Sequence, residues 1–140
     1  MVRRNAKGGE GKYSVDENSI SREIIGAAIE VHTVLGGPGL LESVYEESLC
    51  YELQLRGIEV ERQIEVPVVY KGHRLSTYLR LDVLVGGLVI VECKATEEDH
   101  PIHQAQCLTH LRLTDKRLGL VVNFGQKLVK DGIHRVVNNL

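Results

Sequence analysis

Two acidic residues and a lysine stand in stretches that are otherwise largely apolar. Asp82 lies in Leu81-Asp-Val-Leu-Val85, and Glu92 and Lys94 lie in Val89-Ile-Val-Glu-Cys-Lys94. A carboxylate in such a stretch is costly to bury unless something compensates its charge. Residues two apart on a strand project from the same face, so Glu92 and Lys94 deliver an acid and an ammonium into one small volume. A buried ion pair is one reading. The other is that Asp82 and Glu92 hold a hard divalent cation, magnesium or manganese, which takes oxygen ligands and commonly uses one or two carboxylates plus a substrate phosphate. Such an ion polarises a phosphate and acidifies bound water, while Lys94 positions that water or meets developing negative charge. Those parts suit phosphodiester hydrolysis.

The two acids can share an ion only if the turn between their strands is irregular. An ordinary two-residue hairpin at Gly86-Gly87 pairs Val85 with Leu88 and sets Asp82 opposite Val91, with Asp82 and Glu92 on opposite faces. An odd-length loop or a β-bulge shifts the register by one, and the two glycines make either inexpensive. The expectation is therefore an irregularity here.

The elements that must position these residues follow from hydrophobic periodicity. Residues 1–17 are rich in Gly, Lys, Glu and Asn and read as a flexible tail. Asn18 or Ser19 can cap a helix whose apolar positions are Ile20, Ile24, Ala27, Val31 and Val34. Gly36-Gly-Pro-Gly39 ends it, and a second helix starting near Leu40 carries Leu41, Val44, Tyr45, Leu49 and Leu53, closed by Gly57. Three β-rich segments follow, Ile64 to Tyr70, Leu75 to Val85 and Leu88 to Ala95, which read as an antiparallel meander. A helix is expected over Ile102 to Leu113, a buried strand over Leu118 to Phe124, and a last strand over Ile133 to Val137. The organisation predicted is one domain, residues 18–140, of α/β class, with a central mixed β-sheet flanked by α-helices.

Composition agrees with a folded chain: of 140 residues, 43% are hydrophobic and 26% charged. No apolar run approaches the roughly 20 residues of a membrane-spanning helix, and the first residues lack a signal peptide's apolar stretch, so cytoplasmic residence is the default expectation. Cys50, Cys93 and Cys107 lack paired metal-site spacing and read as reduced and buried. A formal charge of −2 exerts no general pull on nucleic acid, so any such binding needs a local basic patch. Lys116, Arg117, Lys127, Lys130 and Arg135 cluster late in the chain and could supply it, with Lys116 and Arg117 the candidates for substrate contact; a solvated surface is equally compatible. His100, close behind the Glu92 strand, is a candidate for reaching a phosphate at the mouth of the site. His100 and His103 have no third ligand at a zinc-like spacing. His32 reads as a helix-surface residue.

Two motifs stand together in the chain: Gly39-Leu-Leu-Glu42-Ser-Val-Tyr45, and Asp82 followed by Glu92-Cys93-Lys94. In these the chain resembles the GxxExxY proteins, a branch of the PD-(D/E)XK nuclease superfamily that includes restriction-endonuclease-like and RecB-like enzymes, over about residues 20 to 125. The resemblance implies a restriction-endonuclease-like core, a magnesium- or manganese-dependent nuclease acting on DNA, and catalytic roles for Asp82, Glu92, Lys94, Glu42 and Gln106. It further implies that the Cys93 backbone carbonyl and Glu42 join Asp82 and Glu92 as metal ligands and that Tyr45 shares the face of Glu42 toward substrate. Leu81 stands where the pattern has proline, and His110 where it has a tyrosine. The alternative is a catalytically silent nuclease fold that binds nucleic acid or a protein; a small-molecule phosphohydrolase is a third class. So small a core suggests a homodimer or a partner protein that adds grip.

Overall fold

The computed structural model describes residues 15–140. Most of the expected 1–17 tail therefore lies outside the described residues, but its last two members are part of the first helix. Asp16 caps α1 (Glu17–Leu35): its side chain accepts from the Ser19 N–H while the Ser19 hydroxyl accepts from the Asp16 N–H. This reciprocal box satisfies two donors that a helix start leaves unpaired. Gly36, at φ 90°, takes the left-handed position that ends α1. After the Gly-Pro-Gly break comes α2 (Glu42–Leu55), so two helices precede every strand, as the periodicity requires.

The strands are β1 (Val60–Tyr70), β2 (His73–Val85), β3 (Val89–Lys94), β4 (Leu118–Asn123) and β5 (Ile133–Val137), with α3 (Pro101–Thr114) between β3 and β4 and a 3-10 turn (Val129–Gly132) before β5. They form one sheet in chain order. The first three run antiparallel as a meander, β3 and β4 are parallel, and β4 and β5 are antiparallel. This is the mixed α/β architecture expected of a restriction-endonuclease-like core. Every residue of β4 is buried, which is what a strand covered on both faces requires. Among the described residues, no helix is long and apolar enough to cross a membrane.

Two apolar layers hold the sheet. On one face Ile24, Ala28, Leu49 and Leu53 of α1 and α2 pack on Val83, Val85, Val91, Leu120 and Val122. On the other, Leu111 of α3 packs with Ile90 and Leu81. Leu81 and Val83 share a parity in sequence yet lie in different layers, so β2 changes face between them. Its partner strand shows how. Gln63 has φ 52°, and no pair joins Gln63 to Asp82 although Arg62 pairs with Val83 and Ile64 with Leu81. A left-handed residue within a strand costs roughly 1–2 kcal/mol and twists the ladder locally, as a bulge does. The kink falls opposite Asp82.

His32 corrects the surface reading. It is buried, its Nε2 lies 3.2 Å from the Phe124 carbonyl oxygen, and its ring lies against Tyr45 and Phe124.

Candidate active site

The turn between β2 and β3 has the irregularity that a shared site demands. Val85 pairs with Val89, not with Leu88, and Val83 pairs with Val91, so the loop has three residues. Continued by one step, this register sets Asp82 across from Glu92. Regular pairing stops before that step, and a side chain takes over: Asp82 Oδ2 accepts from the Cys93 N–H at 3.1 Å. The strands splay where Gln63 kinks β1, and the carboxylate caps a backbone donor that would otherwise lose its partner.

Burial above all, opposed by the Cys93 N–H and Lys94 and aided by the charges of Glu46 and Glu92, pushes the Asp82 carboxyl up to about 6. The carboxyl therefore lies within electrostatic reach of two more acids and of the lysine. Desolvation and neighbouring like charge disfavour the ionised form, and a bound cation would restore it. The Cys93 thiol is pushed well above its usual range, first by burial and then by Asp82, Glu46, Cys50 and Glu42. Asp82, Glu46 and Glu42 are thus within electrostatic reach of the Cys93 thiol.

Glu92 is buried, and its Oε2 lies 2.5 Å from His110 Nδ1 on α3. Its Oε1 has no protein donor among the described residues. Lys94, half-buried, ends β3 beside Asn123 of β4. Two residues thus join the site that sequence reasoning did not place in it. His110 stood out only as a departure from a tyrosine pattern. Glu46 lies one turn beyond Glu42, a helical spacing that could have nominated it. It is buried, and it accepts from Arg62 Nε and Nη2 at 3.2 and 3.0 Å and from Gln63 Nε2 at 3.0 and 3.2 Å. Glu46 ties α2 to the kink that splays the strands.

Other expectations separate. Glu42 stands exposed at the first residue of α2, and Gln106 is exposed on α3, one turn before His110. Tyr45 is not a substrate contact: it is fully buried, its hydroxyl donates to the Gly37 carbonyl at 2.7 Å and accepts from the Leu40 N–H at 3.2 Å, and its ring stacks on Phe124. The residue thus closes the Gly-Pro-Gly turn. Lys116 and Arg117 stand apart from these acids. They donate to the Gly87 and Asn139 carbonyls near the start of β4, whereas Lys94 pairs with Asn123 at its end, roughly 16 Å away at 3.3 Å per residue. Arg135 binds Asn18, so the late basic residues do not form one patch at the site. His100 caps α3, its Nδ1 accepting from the Ile102 N–H, and lines a cavity with Lys94.

The sequence matches a family described as the PD-(D/E)XK nuclease superfamily over residues 18–136. The chain belongs to that superfamily. Neither a curated protein nor a solved structure matches it significantly. Membership supports a nuclease-type function, and superfamily members hydrolyse phosphodiester bonds, usually with divalent metals. In this nuclease-superfamily chain the donor set suits such an ion in one particular way. Among the described residues no three His, Cys, Asp or Glu side chains converge as a metal cage. The Asp82 carboxyl lies within electrostatic reach of Glu92 and Lys94, and magnesium is an ion that takes few protein ligands, keeps several waters and leans on substrate phosphate.

Proposed function

We propose that this chain is a magnesium- or manganese-dependent nuclease that cleaves DNA, with Asp82, Glu92 and Lys94 as its catalytic core. The observation that carries the reading is the hydrogen bond from the Cys93 N–H to Asp82 at the point where β2 and β3 part. It brings the Asp82 carboxyl to the strand that carries Glu92 and Lys94. Asp82 and Glu92 would hold the ion, with the Cys93 carbonyl and Glu42, directly or through water, completing its shell. The ion would supply a polarised phosphate and an acidified water.

The chain's own residues do the rest. His110 anchors one oxygen of Glu92 and so aims the other. Lys94 places its ammonium beside the acids, where it orients the attacking water and meets charge developing on the phosphate. Arg62 and Gln63 hold Glu46, keeping that third acid and α2 fixed behind the metal ligands. Gln106 and His100 stand on the α3 side, where a nucleic-acid backbone would approach.

The test incubates the purified chain and its Lys94→Ala variant with single- and double-stranded DNA and RNA in magnesium, manganese or chelator. Metal-dependent cutting of DNA is expected, lowered about 100-fold or more in Lys94→Ala, the scale of losing one electrostatic stabiliser of the transition state. No metal-dependent, Lys94-dependent cutting on any substrate would overturn the reading in favour of a silent binding module.

A further inference from the structure

A chain of net charge −2 needs a local basic surface to hold a polyanion, and the late basic residues do not gather into one. The β1–β2 hairpin supplies it. From Val66 to Leu81 the sequence carries Lys71, His73, Arg74 and Arg80 and no acidic residue. The two strands are also longer than the sheet requires, with 11 and 13 residues against 6 in β3. Continued from the Val83–Val91 pair, the register sets Arg80 level with Lys94, where β3 ends. Past that level β1 and β2 go on alone, paired from Val66–Leu79 to Tyr70–His73. A two-stranded arm therefore overhangs the sheet at the end that carries Lys94. Its five β1 residues, Val66 to Tyr70, give it a reach of about 17 Å at 3.3 Å per residue.

The arm has no core on either face. Every residue from Val69 to Tyr78 is exposed, including two tyrosines, Tyr70 at 61% and Tyr78 at 46%. Its tip is a two-residue turn, Lys71 at φ 50° and Gly72 at φ 78°, the left-handed pair that matches the twist of a hairpin. Lys71 Nζ lies over the Tyr70 ring, 5.5 Å from its centroid. At the root, Arg80 Nη2 lies 3.5 Å from Glu65 Oε2, an exposed contact. The register shifts between Pro67 and Val69, a bulge that adds twist to the ribbon.

Charge and shape select the occupant. β1 is an edge of the sheet, but Pro67 offers no N–H and the bulge interrupts the ladder, both of which work against pairing with a second copy. Two such arms side by side would also bring like cations together. A twisted two-stranded ribbon is one of the shapes that the major groove of duplex DNA, about 12 Å wide, admits. Cations and tyrosine hydroxyls at its rims can then reach the phosphates, contacts that fix position along the duplex. We propose that the hairpin arm, residues 66–79, lies in the groove of duplex DNA beyond the cleaved bond, with Lys71 and Arg74 on its phosphates. The choice of nucleic acid rests on the nuclease reading above. Because Arg74 and Asp82 share β2, a duplex gripped by the arm is held in register with the proposed catalytic acids.

The experiment keeps the full chain in chelator, where nothing is cut, and measures fluorescence anisotropy of a labelled duplex of about 20 base pairs between about 50 and 200 mM salt. Two variants are compared with wild type. Lys71→Gln with Arg74→Gln changes only exposed side chains; a shortened chain puts Asn-Gly in place of residues 67–78, closing a tight turn on the existing Val66–Leu79 pair. The double variant should bind about tenfold more weakly and lose roughly two from the slope of log affinity against log salt, about 0.9 for each phosphate contact. The shortened chain should bind more weakly still, with its melting temperature kept. Wild-type affinity and slope in the double variant would overturn the proposal, as would tighter binding of a single strand than of the duplex. A shortened chain that changes from dimer to monomer in gel filtration yet holds DNA as before would assign the arm to a second copy instead. Binding through the arm without any cutting in magnesium sinks the nuclease reading alone, and cutting that ignores the arm sinks this proposal alone.

Discussion

His110 Nδ1 and Glu92 Oε2, on α3 and β3, lie 2.5 Å apart, and this contact holds one oxygen of a buried carboxylate in place. Removing it in His110→Ala leaves a buried carboxylate without its donor, at a cost of about 1–3 kcal/mol. We expect that loss in urea denaturation, with cleavage reduced as well. A tyrosine can donate to the same oxygen, so His110→Tyr should recover most of both. An alanine variant as stable and active as wild type would show that the contact does not position Glu92.

Asp82 makes the stability of the metal-free chain depend on pH in a definite direction. The folded state keeps its proton up to about pH 6, while the unfolded state releases it near 3.8. Between those values the folded state binds more protons, so Asp82 favours folding most below the lower value and loses that contribution as pH rises through the upper one. Asp82→Asn stays neutral throughout and can still accept from Cys93. In chelator at pH 8 it should be more stable than wild type by about 1–2 kcal/mol, the two-unit shift discounted for partial solvation. The difference should vanish near pH 4. Wild-type and variant curves that run parallel from pH 4 to 8 would contradict the assignment.

Tyr45 separates a structural role from a substrate role. Tyr45→Phe keeps the ring stacked on Phe124, with centroids 4.7 Å apart, and removes only the hydroxyl's two bonds in the Gly-Pro-Gly turn. About 1–2 kcal/mol of stability should go. Cleavage per folded molecule should not change. A fall in affinity for nucleic acid, with the melting temperature unchanged, would return Tyr45 to the site.

Gly125 tests how Asn123 latches the loop after β3. The Asn123 Oδ1 accepts from the Thr96 and Gly125 N–H groups, its Nδ2 donates to Asp99, and Asp99 in turn holds His134. A Cβ there would sit 2.1 Å from the Thr96 carbonyl oxygen, a backbone atom that cannot swing aside. Gly125→Ala should therefore lower stability by about 1–3 kcal/mol and displace Asp99 and His134 through Asn123. Thermal melts and the His134 ring resonance report both. A variant with wild-type melting and an unshifted His134 would show that the loop yields without cost.

Much of the fold was legible in one dimension because its signals are local. Helical spacing from Ile20 to Val31, the Gly-Pro-Gly break, and the continuous apolar run of β4 each depend on neighbours in sequence, and each element stands where its pattern says. The register shift at Gly86-Gly87 was legible for a different reason: two carboxylates needed it, and two glycines permitted it. The misreadings concern residues whose role depends on distant contacts. His32 and Tyr45 look like helix-surface and site residues until Phe124, from β4's end, packs against both.

By itself, then, the sequence determined the chemistry on offer and the order of elements, since Asp82, Glu92 and Lys94 in apolar strands admit few purposes and periodicity is a local property. Which partner each carboxylate finds was decided only in three dimensions. The ladder between β1 and β2 breaks at Gln63 and Asp82, α2 brings Glu46 rather than Glu42 into the interior, and α3 lays His110 on Glu92. Each of these depends on packing between elements far apart in the chain, where burial and hydrogen bonding, not sequence spacing, select the partner.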